Sequence, residues 1–248
     1  MDTVASPGWL ATVPLAHRGL HDDEVPENTL AAFEAARHAG VGIELDVRLS
    51  ADGTPVVFHD RHLDRLTDAT GPVEALTVER LAAVRVGGSD QGIPTLAAAL
   101  AAAGDVPVMV EVKSEHARAG LLEPAVAEVL ADHAGPTCVA SFNPAVLRWF
   151  LRLRPDVPRV LTVAAGSRGR TPAGLRAIRL VRPHALSVDL AALAVPGVVE
   201  RRTAGVCIVT WTVRSAGHLA RARAAADNLI FERLPVATIL GGEPGTGD

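Results

Sequence analysis

Carboxylate and histidine side chains recur through the first half of the chain, in short phrases beside apolar, strand-like runs. The phrases are His17-Arg18-Gly19, Glu44-Leu45-Asp46, His59-Asp60 and Glu111-Val112-Lys113, with Pro26-Glu27-Asn28-Thr29 opening a helical pattern. Parallel α/β folds collect their chemistry at strand ends. Carboxylates can hold a cation, histidines can carry protons, and Arg or Lys can bind an anion. The set therefore predicts a metal-dependent hydrolysis site suited to phosphate chemistry.

The carboxylates predict a cation site. Glu44 and Asp46 are two residues apart on a predicted strand, so both side chains leave the same face. In a barrel that face points inward, where a carboxylate is costly unless it is paired or bound to a cation. Glu111 ends the next predicted barrel strand and would be their neighbour. Three converging carboxylates form a hard-oxygen site, which suits Mg²⁺ or Ca²⁺.

Two histidines can serve the proton transfers of phosphodiester hydrolysis. One group must take a proton from the attacking oxygen, and another must give one to the leaving oxygen. His17 and His59 titrate in the range that both tasks need. Arg18 can bind phosphate oxygens with its planar fork, and Lys113 would offset the negative charge that builds up in the transition state.

Lys113 is the single lysine among 24 basic residues. The composition therefore favours arginine wherever charge alone is needed. Arginine cannot replace lysine where a compact charge must reach a crowded site. The position of Lys113, two residues after Glu111, predicts a functional role for it.

Apolar, β-branched runs alternate with alanine- and leucine-rich helical patterns along the whole chain. Strands are predicted at 13–16, 41–47, 56–59, 108–112, 138–141, 159–163, 185–188, 206–210 and 228–231. Helices are predicted at 29–39, 77–84, 96–103, 124–132, 144–153, 172–181, 191–203 and 215–226. Near-continuous apolar strands that alternate with helices indicate parallel strands covered by helices.

This alternation predicts an α/β fold, a closed (β/α)8 TIM barrel in one domain spanning residues 1–248. Residues 50–94 break the rhythm with an Ala-Asp-Gly turn, a short strand ending at His59-Asp60 and a small helix. They predict a small insertion after the second barrel strand, over the catalytic mouth. The Gly-, Pro- and acid-rich tail 241–248 is expected to be disordered.

Composition excludes several classes of protein. The net charge of −4 provides no overall field to attract nucleic acid. No apolar run is long enough to span a membrane, and the first residues lack the basic start of a signal peptide. We expect a soluble cytoplasmic protein with a small-molecule substrate, no nucleic-acid partner and no stable membrane association.

The ordered phrases resemble the glycerophosphodiester phosphodiesterases. Besides the phrases above, the likeness includes Phe33, Asp52-Gly53, Leu63, Thr67, Gly71, Ile93-Pro94-Thr95-Leu96, Ser141-Phe142 and Trp211-Thr212-Val213. It spans about residues 16–213, and its specific part lies in the first 113 residues. The resemblance implies a (β/α)8 barrel with an insertion after the second strand, and hydrolysis of glycerophosphodiesters to sn-glycerol 3-phosphate and an alcohol.

The resemblance also implies residue roles. Glu44, Asp46 and Glu111 would bind one divalent cation, Mg²⁺ or Ca²⁺, and His17 and His59 would be the general acid and base. Arg18 and Lys113 would contact the phosphate, while Phe142 and Trp211 would form an apolar wall for the glycerol. Some family members attack phosphorus with the glycerol 2-hydroxyl and pass through a cyclic phosphate. The protein would be a monomer or a homodimer.

The second half departs from the family pattern. Arg214 stands where Asn usually follows Trp-Thr-Val, and Phe231-Glu232-Arg233-Leu234-Pro235 replaces a phrase like Thr-Asp-Arg-Pro. Arg214 could favour a second anionic group on the substrate or point to solvent. Three alternatives stay open: a lysophospholipase D-type enzyme acting on lipid, a non-catalytic phosphate-binding barrel, and a metal-assisted enolising enzyme with Lys113 as base. The polar segment 63–68 speaks against the first, and the histidine pair against the other two.

Overall fold

The computed structural model describes residues 5–114, 120–165, 175 and 177–241, and its central feature is a closed parallel barrel. The strands are β1 Leu15–His17, β2 Gly42–Leu49, β3 Pro55–Val57, β4 Val108–Val112, β5 Thr137–Ser141, β6 Arg159–Val163, β7 Ala185–Asp189, β8 Cys207–Val213 and β9 Asn228–Phe231. Parallel pairing runs from β2 through β4 to β9, and β1 pairs with both β2 and β9. The predicted (β/α)8 barrel is confirmed.

Most helices cover the outside of the barrel, whereas one packs against its interior and one belongs to the insertion after β2. The helices are α1 Trp9–Thr12, α2 Leu30–His38, α3 Val78–Ala83, α4 Leu96–Ala103, α5 Leu122–Ala131, α6 Pro144–Leu153, α7 Ile178–Val181, α8 Pro196–Thr203, α9 Ala216–Ala225 and α10 Val236–Leu240. Within the described ranges, no helix is both long and apolar enough to cross a bilayer.

Helix ends follow local capping chemistry. The side chain of Thr29 accepts a hydrogen bond from the Ala32 N–H, and Asn143 caps α6 with Pro144 in its first turn. The helix predicted at 191–203 is instead a 3₁₀ turn at Leu190–Ala192 followed by α8. Its break precedes Pro196, because a residue before proline favours an extended backbone. Of the helix predicted at 172–181, residues 172–174 and 176 lie outside the described residues.

The insertion follows β2, as predicted, and has a small core of its own. Strand β3 runs antiparallel to β2 outside the barrel, and it precedes a 3₁₀ turn at Val73–Ala75 and helix α3. Its apolar side chains pack on one another, among them Phe58, Leu63 and Leu81. The predicted tail lies outside the described residues from 242 onward.

Side chains alternate between the two faces of each barrel strand. On β2 and β4 the apolar residues Ile43, Leu45, Val108 and Val110 belong to the core shared with the covering helices. Met109 instead belongs to a second cluster with Leu10 of α1 and side chains of other strands. Helix α1, which was not predicted, therefore packs against the apolar part of the barrel interior. Glu44, Asp46 and Glu111 occupy the same alternating set as Met109 and continue that face toward the strand ends.

Candidate active site

Three buried carboxylates meet where β2 pairs with β4. The register places Asp46 beside Glu111, and Glu44 lies two residues before Asp46. All three are more than nine-tenths buried. One oxygen from each lies within 4.8 Å of the others. This spacing and the all-carboxylate donor set fit a divalent cation, so the cluster could bind a metal.

Burial and neighbouring charges shift the pKa values of the three carboxylates. Burial, with repulsion from Asp46 and Glu111, raises the pKa of Glu44 well above its usual range. Burial also raises the pKa of Glu111. Burial alone would raise the pKa of Asp46 too, but the cations of Lys113 and Arg18 hold it well below its usual range. A bound cation would relieve the repulsion that the two glutamates feel.

Lys113 lies between carboxylates from two strands. Its Nζ atom is 2.9 Å from Asp46 Oδ1 and also donates to Glu111 Oε1. The lysine is largely buried, yet these two carboxylates raise its pKa against the opposing effect of burial. Its ammonium therefore stays charged at the floor of the site.

Arg18 reaches the cluster through an unusual turn. Its backbone has φ +58°, and its N–H lies 3.3 Å from Glu44 Oε2. The guanidinium donates to Glu27 at 2.7 Å, and its Nε lies 3.3 Å from Asp46. At Gly19 a β-carbon would lie 2.8 Å from that of Ala32, so the turn needs glycine.

Asn28 supports the cluster from the Pro26–Thr29 phrase. Its Nδ2 donates to Asp46 Oδ2 at 3.0 Å, and its backbone N–H donates to the Arg18 carbonyl at 2.9 Å. The residue is buried with φ +58°, a conformation that asparagine tolerates better than most residues. We therefore assign the phrase two tasks, to start α2 and to orient Asp46.

His17 is held by a carboxylate from the far end of the chain. Its Nδ1 lies 2.5 Å from Glu232 Oε2, and its Nε2 lies 3.9 Å from Glu44 Oε2. Because a carboxylate accepts, Nδ1 carries the hydrogen and Nε2 of the neutral ring keeps its lone pair. Burial lowers the pKa of His17. Glu232 also accepts from Arg214, and together these donors outweigh burial and depress the pKa of Glu232.

His59 lies at the edge of the site and, like His17, contacts a carboxylate through Nδ1. Its Nδ1 lies 2.6 Å from Asp60 Oδ1, and Asp60 also accepts from Arg65 Nε at 2.5 Å. Burial would raise the pKa of Asp60, but the hydrogen bonds from Arg65 and His59 lower it to about 2. Burial lowers the pKa of His59, whose side chain is 33% exposed. As in His17, the Nε2 atom of His59 is the ring nitrogen that makes no contact with the partner carboxylate.

A cavity of about 390 Å³ joins these groups. Phe142 and Trp211 form part of its wall, with ring centroids 5.7 Å apart and planes at 87°. The nine predicted site residues all line this cavity: His17, Arg18, Glu44, Asp46, His59, Glu111, Lys113, Phe142 and Trp211. Arg214 also lines it and is bound to Glu232.

Sequence reasoning did not assign a role to Glu232, to Glu27 or to the side chain of Asn28. Glu232 directly follows the last barrel strand, a position where functional residues of such barrels occur, and this was the available signal. Glu27 pairs with both Arg18 and Arg65 and so links these two arginines. Only the structure shows this role, because Arg65 is distant from Glu27 in the sequence.

Comparisons with a family model and with known proteins identify the same family. A model of the Glycerophosphoryl diester phosphodiesterase family matches residues 17–246. A Caldanaerobacter subterraneus glycerophosphodiester phosphodiesterase is 30% identical over 247 residues, covering 90% of this chain and 95% of that protein. Human glycerophosphodiester phosphodiesterase 1 is 42% identical over 96 residues, which are 35% of this chain and 29% of that protein.

Solved structures are similar in fold over most of the chain. An Oleispira antarctica phosphodiesterase, solved with its product sn-glycerol-3-phosphate, has a TM-score of 0.79 at 27% identity, covering 88% of this chain and 92% of that chain. A Thermotoga maritima glycerophosphodiester phosphodiesterase has a TM-score of 0.72 at 26% identity, covering 88% of this chain and 94% of that chain.

Proposed function

Because this chain belongs to the glycerophosphoryl diester phosphodiesterase family and is a glycerophosphodiester phosphodiesterase, we propose how it works and what it releases. It hydrolyses glycerophosphodiesters to sn-glycerol 3-phosphate and an alcohol, with one divalent cation, Mg²⁺ or Ca²⁺. One observation carries the proposal: two histidines, each held at Nδ1 by a carboxylate, line the same cavity as three buried carboxylates. The product bound to the Oleispira antarctica relative supports the choice of product.

Glu44, Asp46 and Glu111 would hold the cation. When bound, it supplies positive charge that polarises the phosphoryl oxygens and offsets charge that develops on them. Asn28 holds Asp46 by a 3.0 Å hydrogen bond, so this carboxylate is oriented before any ligand arrives. Lys113 keeps the cluster from carrying three uncompensated negative charges.

His17 and His59 move the protons, each at Nε2. Glu232 and Asp60 fix the hydrogen on Nδ1 of the respective rings, so Nε2 can accept a proton and return it. In the first step one histidine takes the proton of the attacking oxygen and the other protonates the leaving alcohol. If the glycerol 2-hydroxyl attacks first, the two histidines exchange roles when water opens the cyclic phosphate.

Arg18 and Lys113 place positive charge on the phosphate side of the cavity. Both are largely buried, and a buried charge interacts more strongly with an anion than a solvated one does. Phe142 and Trp211 supply an apolar surface for the carbon atoms of glycerol. The cavity thus combines a charged floor with an aromatic wall, which matches the two parts of a glycerophosphate group.

A lipid substrate gains no support from the insertion. In segment 63–68, Leu63 is fully buried in the core of the insertion and Leu66 packs against it, so the exposed side chains there are those of Asp64, Arg65 and Asp68. The cytoplasmic location, the single domain and the state as monomer or homodimer stay predictions.

The test measures sn-glycerol 3-phosphate release from glycerophosphocholine with a dehydrogenase-coupled assay. We expect turnover to be lost after dialysis against EDTA and restored by Mg²⁺ or Ca²⁺. His17→Ala and His59→Ala should each lower the rate by about 10²–10⁴-fold. His38→Ala, an exposed histidine on α2, is the matched control. Full activity after EDTA dialysis would refute the metal role, and near-normal rates in both variants would remove the histidines from the mechanism.

A further inference from the structure

A second group of metal-ligating side chains lies behind His17, on the side away from Glu44. It consists of His17, His21 and Glu232, whose donor atoms all lie within 4.8 Å of one another. His21 Nε2 is 3.8 Å from Glu232 Oε2, and the His21 side chain is only 8% exposed. Within the described part of the chain, this group and the carboxylate cluster are the two sets with such spacing.

His21 Nε2 has no role in the proposed mechanism. The atom is buried and has no hydrogen-bond partner in the structure, although its carboxylate neighbour is close. A buried nitrogen without a partner is costly unless a ligand or an ion completes it. This nitrogen faces the edge of Glu232 that His17 also contacts. The unsatisfied atom therefore points toward a shared space between two imidazoles and a carboxylate.

The donor set distinguishes this group from the carboxylate cluster. Two imidazole nitrogens and one carboxylate oxygen are a common ligand set for Zn²⁺, whereas Mg²⁺ and Ca²⁺ prefer oxygen alone. Tetrahedral zinc bonds of about 2.0–2.2 Å set neighbouring donors about 3.3–3.5 Å apart. The 2.5 Å contact of His17 with Glu232 must then widen by about 1 Å, and the 3.8 Å contact of His21 must shorten by about 0.5 Å. Side-chain rotations of this size leave the strands in place.

We propose that His17 Nδ1, His21 Nε2 and Glu232 Oε2 form an inhibitory Zn²⁺ site, with water in the fourth position. Arg214 binds the other oxygen of Glu232, so Oε2 is left available for the metal. The positive charge of Arg214 repels Zn²⁺ and therefore limits the affinity of the site for it. Zinc on Nδ1 moves the single ring hydrogen of His17 to Nε2. That nitrogen can then no longer accept a proton, so the catalytic cycle stops. The inhibition rests on the proposed function, whereas the binding does not.

The binding test uses Zn²⁺ alone as the probe and needs no turnover. The purified chain competes with a chromophoric zinc chelator in excess Mg²⁺, which occupies the carboxylate cluster. We expect one zinc site in the wild type, and at least tenfold weaker binding in His21→Ala and His21→Gln. His38→Ala should bind zinc as the wild type does. Equal zinc affinity in the wild type and both His21 variants, with unchanged melting temperatures, would overturn the proposal.

Two further readouts separate the site from the proposed function. Co²⁺ in place of zinc should give the visible absorption of a four-coordinate site in the wild type, and the band should disappear in His21→Ala. In the turnover assay, His21→Ala should need at least tenfold more zinc for half inhibition, relative to its own zinc-free rate. If the wild type binds zinc but shows no turnover in its absence, the proposed function fails and the site stands. If zinc binds and turnover continues unchanged, the inhibitory role is wrong.

Discussion

Lys113→Arg tests whether the single lysine is needed as a compact charge. The ammonium lies between Asp46 of β2 and Glu111 of β4, and the Phe142 ring centroid is 6.0 Å from Nζ. A guanidinium is planar and longer than an ammonium, so in this crowded position we expect it to keep its pairing with one carboxylate and to lose the contact with the other. The variant keeps the charge and changes only where that charge stands.

The expected loss follows from the contacts that are broken. A hydrogen bond to a charged group contributes about 1.5–3 kcal/mol. Losing one of the two that Lys113 makes displaces its charge from the phosphate side of the cavity. A loss of one interaction of this strength with the transition state should lower kcat/KM by about 10- to 150-fold, at 1.36 kcal/mol for each factor of ten. Lys113→Met removes the charge altogether, and without metal it should destabilise the fold by about 3–5 kcal/mol, because buried Asp46 and Glu111 lose the cation that they share.

The assay combines kcat/KM for glycerophosphocholine with urea unfolding of metal-free protein. Arg152→Lys is the matched control, since Arg152 is exposed in the last turn of α6 and the substitution makes the opposite exchange of the same two residue types. It should leave kcat/KM unchanged and the free energy of unfolding within about 0.5 kcal/mol. If Lys113→Arg keeps kcat/KM within about twofold of the wild type, the need for a compact charge is refuted.

Three other perturbations address separate parts of the molecule. Leu10→Ala should cost about 2–5 kcal/mol of unfolding free energy, because Leu10 is fully buried in the barrel interior, while the exposed Leu153→Ala should cost almost nothing; equal urea midpoints would contradict this. The pKa of Asp60 is lowered to about 2, so its charge stabilises the fold above its unfolded pKa of about 4, and this is lost as pH falls. The stability difference between wild type and Asp60→Asn should therefore shrink from about pH 5 to about pH 2, and a constant difference would argue against the pairing. Phe142 lines the cavity, so Phe142→Ala removes apolar surface that the glycerol carbons would contact. A loss of about 1 kcal/mol of binding should raise KM about fivefold with little change in kcat, and the opposite split would remove Phe142 from substrate binding.

Local patterns predicted much of the fold. The continuous apolar runs identified the barrel strands, and β4, β6 and β9 have the predicted bounds. Asn143 followed by Pro144 predicted the start of α6, because both act within one helical turn. The spacing of Glu44 and Asp46 placed them on one face through the alternation of a strand. These features depend on neighbours in sequence, so the sequence alone carries them.

The remaining features depend on contacts between distant segments. Helix α1 has four residues and no side-chain cap, so only its packing in the barrel interior indicates it. The contact of His17 with Glu232 joins residues 215 apart, and it exists because β1 pairs with β9. No local pattern around Glu232 could have revealed which histidine it holds.

The pairing of β1 with β9 has a consequence for how the enzyme is made. Strand β1 can join β2 early, but it cannot meet β9 until nearly the whole chain has been synthesised. A ring closed through so large a sequence separation has a high loop-closure cost and is expected to close late in folding. Since His17 and Glu232 lie on opposite sides of this seam, a nascent or partly folded chain has the carboxylate cluster without the complete proton-transfer group. Appearance of turnover during refolding should therefore coincide with ring closure, after most helical signal has already been recovered.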